Sequence, residues 1–235
     1  MIVTVLAQLK IRGQDTGPSC VENNGFCPSW IADNLDRYKQ PLIEHIELTL
    51  IAVAIGFGIA FWLALLAHRR RWLIPPITQI TGILYTLPSV AVFFLLLPIT
   101  GRGKVTALIA LVAYSLLIIF RNIITGLDGV PADARDAGRG MGLTERQLLW
   151  KVELPLALPE IMAGLRIAVT TTVGLTALVF LAGAGGLGEA IFADTQFQSN
   201  VVVAGGLCVL LAVVLDLLVL ALQKLLTPWT RAAAR

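Results

Sequence analysis

The sequence predicts an all-α membrane protein of about five transmembrane helices. Mean hydropathy is +0.81 across the 235 residues, and charged residues make up only 14% of the chain. A soluble domain needs more polar surface than that to cover its core. The apolar residues also gather in blocks of about twenty, the length that crosses a bilayer as a helix. The net charge of +3 comes from scattered basic residues. That pattern fits membrane-topology signals and argues against nucleic acid as a partner.

Five blocks carry the spans, at about 42–67, 73–99, 105–120, 161–181 and 201–226. Before them, residues 1–41 read as an extracytoplasmic segment. Its first apolar run, Met1 to Leu9, is too short to span and has no small-residue cleavage site after it. Cys20 and Cys27 lie in the polar stretch GPSCVENNGFCPSW, without the His or second Cys pair that zinc would need. They are a candidate disulfide pair if that segment is extracytoplasmic. Cys208 lies inside an apolar block and reads as packing. Residues 42–226 form the membrane domain and 227–235 a cytoplasmic tail. Basic residues orient the bundle: His68-Arg69-Arg70-Arg71 follows the first span and is placed inside, and alternation then leaves eleven Lys/Arg inside against six outside. The N-terminus is therefore placed outside and the C-terminus inside. The weak point of that assignment is the N-terminal stretch, whose four basic residues, Lys10, Arg12, Arg37 and Lys39, are placed outside; with Met1–Leu9 flat on the outer leaflet, Lys10 and Arg12 would rest at headgroup level.

A polar loop at about 126–160 interrupts this apolar chain. Thr144 and Gln147 make a capping box that starts a helix at Glu145. Leu148, Leu149 and Val152 then fall on one side of it, a stripe suited to docking on a soluble partner. Pro155 and Pro159 are expected to prevent a clean continuation. Upstream, Pro131 suits a first-turn position, and Gly138, Gly140 and Gly142 either loosen the chain or admit another backbone. The expected product is two short helices with a glycine joint.

That loop resembles the EAA motif of ATP-binding-cassette importer permeases: Glu-Ala-Ala, three residues, Gly, nine residues, Ile, one residue, Leu-Pro. The matching positions here are Asp136, Ala137 and Gly138, then Gly142, then Val152, Leu154 and Pro155. Asp136 stands for Glu, and Gly138 for the second Ala. The resemblance covers roughly residues 42–226 and is strongest to the osmoprotectant type, through LYTLPSVAVFFLLLPITG (84–101) and GMGLTERQLLWKVELPLALPEIMAGLR (140–166). GAGGLGEAIF (183–192) is shared with methionine-type permeases and says little about cargo. The resemblance implies a type I ABC importer fold whose coupling helix, Asp136–Gly142, sits in a cleft of an ATPase subunit. It also implies two ABC ATPase subunits carrying ATP and Mg, a second permease chain (identical or homologous), an extracytoplasmic substrate-binding protein, and a bacterial cell membrane. The cargo it implies is glycine betaine, carnitine or choline. Other small solutes such as methionine, an ion-coupled secondary transporter and a structural anchor are the alternatives.

Pro88, with Thr86 and Ser89, breaks the second span near its middle. A broken helix frees backbone carbonyls at membrane depth, which suits either a translocation-path kink or a packing kink. Tyr85 beside it offers an aromatic face to a trimethylammonium group. Thr170, Thr171, Thr172 and Thr176 either line a path, with Thr171 the candidate, or bond back to their own helix. Asp216 is the sole acid deep in the fifth span. It faces a cavity, pairs with a base such as Arg166, or lies near the inner headgroups. Glu44, His45 and Glu47 are placed at the outer mouth of the first span. No Walker motif, catalytic triad or metal cluster is present in the sequence, so this chain is expected to be no enzyme and to bind no cofactor itself.

Overall fold

The computed structural model describes residues 18–231. The apolar run Met1–Leu9, Lys10, Arg12 and Arg235 lie outside the described residues. The elements are α1 (Pro18–Glu22), α2 (Pro28–Asn34), α3 (Lys39–Arg69), α4 (Ile74–Thr86), α5 (Ser89–Thr100), α6 (Lys104–Asp128), α7 (Ala132–Gly140), α8 (Glu145–Leu148), α9 (Leu154–Thr176), α10 (Leu187–Ala193) and α11 (Gln198–Leu226). No strand occurs among the described residues.

Five legs make up the bundle, namely α3, α4 with α5, α6, α9 and α11. By length and composition α3, α6 and α11 each suffice to cross a bilayer, and α4 with α5 pass the same test only as a bent pair taken together. The remaining leg, α9, has 23 residues but carries Glu160, Arg166 and a threonine run. It packs between α6 and α11, and its Arg166 pairs with Asp216 of α11. The break in the second leg falls at Leu87–Pro88, both in extended geometry, and turns the helix by 97°. Proline at 88 cannot continue the ladder of α4, and it disfavours helical geometry at Leu87.

α6 is the central post, packed on α3 along one side and on α9 along another. Small residues permit the close approach. A Cβ on Gly164 of α9 would lie 2.6 Å from Asn122 Cγ, and Gly56 of α3 abuts Ser115 of α6. At one end of the bundle His68, Ile119, Phe120, Leu127, Leu149 and Leu154 come together. At the other, Leu48, Phe93, Leu111 and Val179 form a second core.

The segment before α3 is built onto that second end. Cys20 and Cys27 are bridged, and with Phe197 they form a small core against which Trp30 packs edge-on. The Cys27 amide donates to Ser199 Oγ at 2.7 Å, and Tyr38 Oη donates to Asn200 Oδ1 at 2.7 Å. The first turn of α11 thus holds residues 18–38 in place.

Two expectations are corrected. His45 is not an exposed interfacial residue. It is fully buried, with Nε2 3.0 Å from the Val173 carbonyl, because its side of α3 packs on α9, while Glu44 beside it accepts from the Gly186 amide. Nor do Pro155 and Pro159 delay the fourth leg to Ile161: α9 begins at Leu154. Pro155 sits in the first turn, where a missing N–H costs little, and a π turn at Leu149–Glu153 feeds the chain into the helix.

The Gly164 contact yields a stability prediction. Gly164→Ala should destabilise the bundle by about 1–3 kcal/mol, the usual cost of overpacking, because the obstructing atoms belong to the stem of Asn122. Gly58→Ala, with nothing within 4 Å, should leave the thermal midpoint of the detergent-solubilised protein unchanged or higher.

Candidate functional site

The 126–160 loop folds as a compact cap on one end of the bundle. α7 ends in a Schellman motif: the Leu143 amide donates to the Gly138 carbonyl at 3.2 Å, and the Gly142 amide to the Arg139 carbonyl at 2.9 Å. Gly142 holds φ +80°, a conformation that side chains resist, which accounts for glycine there. The next residue but one is the N-cap of α8. Thr144 and Gln147 form the reciprocal capping box that the sequence predicts. The turn from α7 to α8 is therefore fixed at both sides.

The apolar stripe of α8 faces inward, contrary to the docking surface inferred from its amphipathicity. Leu148 and Leu149 are buried. A Cβ on Gly138 would lie 2.6 Å from Leu148 Cδ1, with Leu143 and Val152 close behind. Gly138 thus lets α7 settle onto α8, and the stripe is spent on holding the loop together. Leu154 is buried in the same end of the bundle, and Val152 and Pro155 are half-buried. What faces outward is α7 and its turn: Asp136, Ala137, Arg139, Gly140, Met141 and Gly142. Met141 is 74% exposed, a large apolar side chain at the apex.

A charged hub ties this cap to the bundle. Glu153, in the π turn, is buried. One carboxylate oxygen accepts from His68 Nε2 at 3.0 Å, and the other lies 2.9 Å from Arg135 Nε. Arg135 also donates through Nη2 to the Leu127 carbonyl at the end of α6. One carboxylate therefore joins α3, α6, α7 and the start of α9. Arg71 and Asp128, 3.1 Å apart, add a second strap between the ends of α3 and α6. On the outer side Arg139 pairs with Glu145 at 3.2 Å and approaches Asp136 at 3.6 Å. The hydrogen bond to the Glu145 carboxylate raises the pKa of the Arg139 guanidinium. Sequence reasoning passed over Glu153, Arg135 and His68. The one available signal was an acid placed between two motif positions, Val152 and Leu154, in a segment about to enter lipid.

The remaining candidates fall into two separate places. Around the break, Tyr114 Oη donates to the Leu87 carbonyl that the break frees, at 2.6 Å, and its ring meets Tyr85 edge-on. Thr86 Oγ1 bonds back to Ile83, and Ser89 opens α5. Elsewhere, Asp216 of α11 accepts both arms of Arg166 on α9, at 2.8 and 2.7 Å, so the pairing alternative is the one realised. Thr170 and Thr176 bond to carbonyls of their own helix, and Thr171 is half-buried beside them. No hydrogen bond or ion pair among the described residues joins the two places.

A bent second leg, a Gly-jointed cap seated on one end of the bundle and the EAA spacing have a counterpart among known families. The chain matches the binding-protein-dependent transport system inner membrane component over residues 54–232. It belongs to that family. Among curated members, it is 38% identical over 206 residues to the osmoprotectant import permease protein OsmW of Salmonella typhimurium, covering 85% of this chain and 96% of that one. It is 38% identical over 187 residues to the choline transport system permease protein OpuBB of Bacillus subtilis, covering 79% and 86%. Among solved structures of this type, the MetNI methionine ABC transporter in an inward-facing form matches with a TM-score of 0.69. The match is 25% identical and covers 84% of this chain and 96% of that one. The chain is thus an ABC importer permease by fold and by sequence.

Removing the hub carboxylate should loosen the cap before the bundle. Glu153→Ala leaves Arg135 facing a buried position without its partner, a loss of about 3 kcal/mol. In limited proteolysis, trypsin should then cut after Arg139 and Arg146 more than tenfold faster than in the parent, while sites in the bundle stay protected.

Proposed function

We propose that this chain is the membrane-spanning permease subunit of an ATP-driven importer for quaternary-amine osmoprotectants such as glycine betaine, carnitine or choline. The observation that carries the reading is the 38% identity to osmoprotectant and choline permeases over most of both chains. The likeness to a methionine transporter, at 25% identity, supports the shared fold more than a shared cargo.

In this reading residues 1–41 face the exterior, 42–226 form the membrane domain with its coupling loop at 126–160, and the 227–235 tail is cytoplasmic. The excess of basic residues on the loop side supports that orientation. Two ATPase subunits hold ATP and Mg and dock on the loops of two permease chains, identical or homologous. An extracytoplasmic binding protein delivers the cargo. Asp136, Ala137 and Gly142 lie on the surface offered to the ATPase, with Met141 as an apolar knob for its cleft. Gly138, Val152, Leu154 and Pro155 act from beneath, seating α7 on the bundle. ATP-driven closure of the ATPase pair then moves the cap, and through the Glu153 hub it moves α3, α6 and α9 with it.

The quaternary ammonium of the cargo keeps its charge at every pH, so its path needs mild polarity rather than a proton acceptor. The break at Tyr85, Thr86, Pro88 and Ser89 provides this: Tyr85 is partly exposed, and its face can attract a trimethylammonium group with little desolvation of the protein. Thr171 of α9 and Asp216 of α11 are assigned to the same path. Asp216 reaches it as half of a neutral pair with Arg166 rather than as a free charge. A second chain brings the two places together into one cavity. The exposed apolar face of α11, including Val209, Leu210, Val213 and Leu217, is available to that chain or to lipid.

Proteoliposomes holding the permease, its ATPase and its binding protein test the reading. Labelled glycine betaine, carnitine or choline should accumulate at least tenfold more with ATP than without, and excess methionine should not compete. Uptake of methionine alone would refute the cargo. Asp136→Lys should cut uptake by at least tenfold while the chain still inserts and folds.

A further inference from the structure

Between α3 and the α8–π segment runs an open groove of about 360 Å³ at the loop end of the bundle. One wall is a single face of α3, with Trp62, Leu65, Leu66 and Arg69 at helical spacing. The other is Arg146, Leu149 and Trp150 of the loop. Trp62 is 67% exposed and Trp150 47%. The lining is apolar except for the two guanidiniums, and no carboxylate borders it. Arg69 also edges the neighbouring polar cavity, but the acids there, Glu145 and Glu153, are engaged by Arg139, Arg135 and His68. Among the described residues, Arg71, Arg135, Arg139 and Arg166 all form ion pairs, whereas Arg69 and Arg146 form none.

The depth of the groove separates lipid from a soluble occupant. Trp62 precedes Arg69 by seven residues on one continuous helix, so it lies about 10 Å further into the span. A docked soluble protein would have to enter the bilayer to cover it. A phospholipid already has that shape: an anionic headgroup at the level of the two arginines and an apolar chain beneath. Basic pockets at helix ends are the features that hold such headgroups.

We propose that this groove binds one anionic phospholipid, its phosphate held between Arg69 and Arg146 and an acyl chain laid along Leu65 and Leu66 between Trp62 and Trp150. Guanidinium forks match phosphate oxygens, and two of them from different elements make the headgroup a bridge. The lipid thereby fastens the coupling loop to α3 at a point remote from the Glu153 hub. Placing it in the cytoplasmic leaflet rests on the orientation proposed above. The binding itself does not.

Native mass spectrometry of the permease–ATPase complex, released from phosphatidylcholine nanodiscs doped with phosphatidylglycerol, tests this without a transport readout. The parent complex should retain phosphatidylglycerol in preference to phosphatidylcholine. Arg69→Gln with Arg146→Gln should lower phosphatidylglycerol affinity at least tenfold. Arg70→Gln with Arg121→Gln removes the same charge elsewhere and should change it less than twofold. Arg146→Gln alone, an exposed and minimal change, should still cost about threefold, which keeps the test open if the double variant folds poorly. Millimolar inorganic phosphate should not displace the lipid, since it cannot fill the apolar floor. The proposal is overturned by equal losses in both double variants, by unchanged affinity in the groove variants, by displacement with inorganic phosphate, or by a groove that the bound ATPase closes to lipid.

Discussion

The arrangement depends on where one buried carboxylate finds its partners. Glu153 enters the bundle in the turn just before α9, at a depth where an unpaired charge would be costly. It is matched by Arg135 from the cap and His68 from the end of α3. A buried pair is weak evidence for stability in itself, since its desolvation offsets much of its attraction. Its value here is geometric. Arg135 must lie where Glu153 is, and Glu153 is rigidly continuous with α9. α7 therefore has a fixed seat on the helices it is proposed to drive.

The glycines of the loop serve the same end in different ways. Gly142 supplies a backbone angle that closes α7. Gly138 supplies an absence, the space into which Leu148 fits. Where the EAA pattern has Ala at this position, this chain gives up some helix propensity and gains a closer seat for α7 on α8. The outer surface is left to Asp136, Ala137, Arg139 and Met141, a mixed charged and apolar face without an internal partner of its own apart from the Arg139 pairs. A surface of that kind suits reversible grip by another subunit.

Much of this was legible in the sequence, and the parts that were not share a cause. Block hydropathy located the legs, Pro88 located the bend, and Thr144 with Gln147 located the start of α8, because each of these is a local signal. Amphipathicity marked Leu148, Leu149 and Val152 as one face but could not say what covers it. The cover turned out to be the chain's own α7. The start of α9 was misplaced because two prolines read as a stop, and a π turn that absorbs the chain before Pro155 leaves no composition signal. The hub was invisible for a similar reason. His68 and Glu153 are 85 residues apart in sequence, and only the fold makes them neighbours. Asp216 lay between these cases: Arg166 was a candidate partner on composition, but a bidentate pair needed α9 and α11 side by side.

If the cap and bundle move as one body, the coupling of fuel to transport runs through Glu153. The most direct measurement is the number of cargo molecules taken up per ATP hydrolysed by the reconstituted complex carrying Glu153→Gln. The account predicts that the ATPase subunits stay bound and keep hydrolysing ATP while uptake per ATP falls severalfold. An unchanged ratio, with the ATPase still bound, would contradict it.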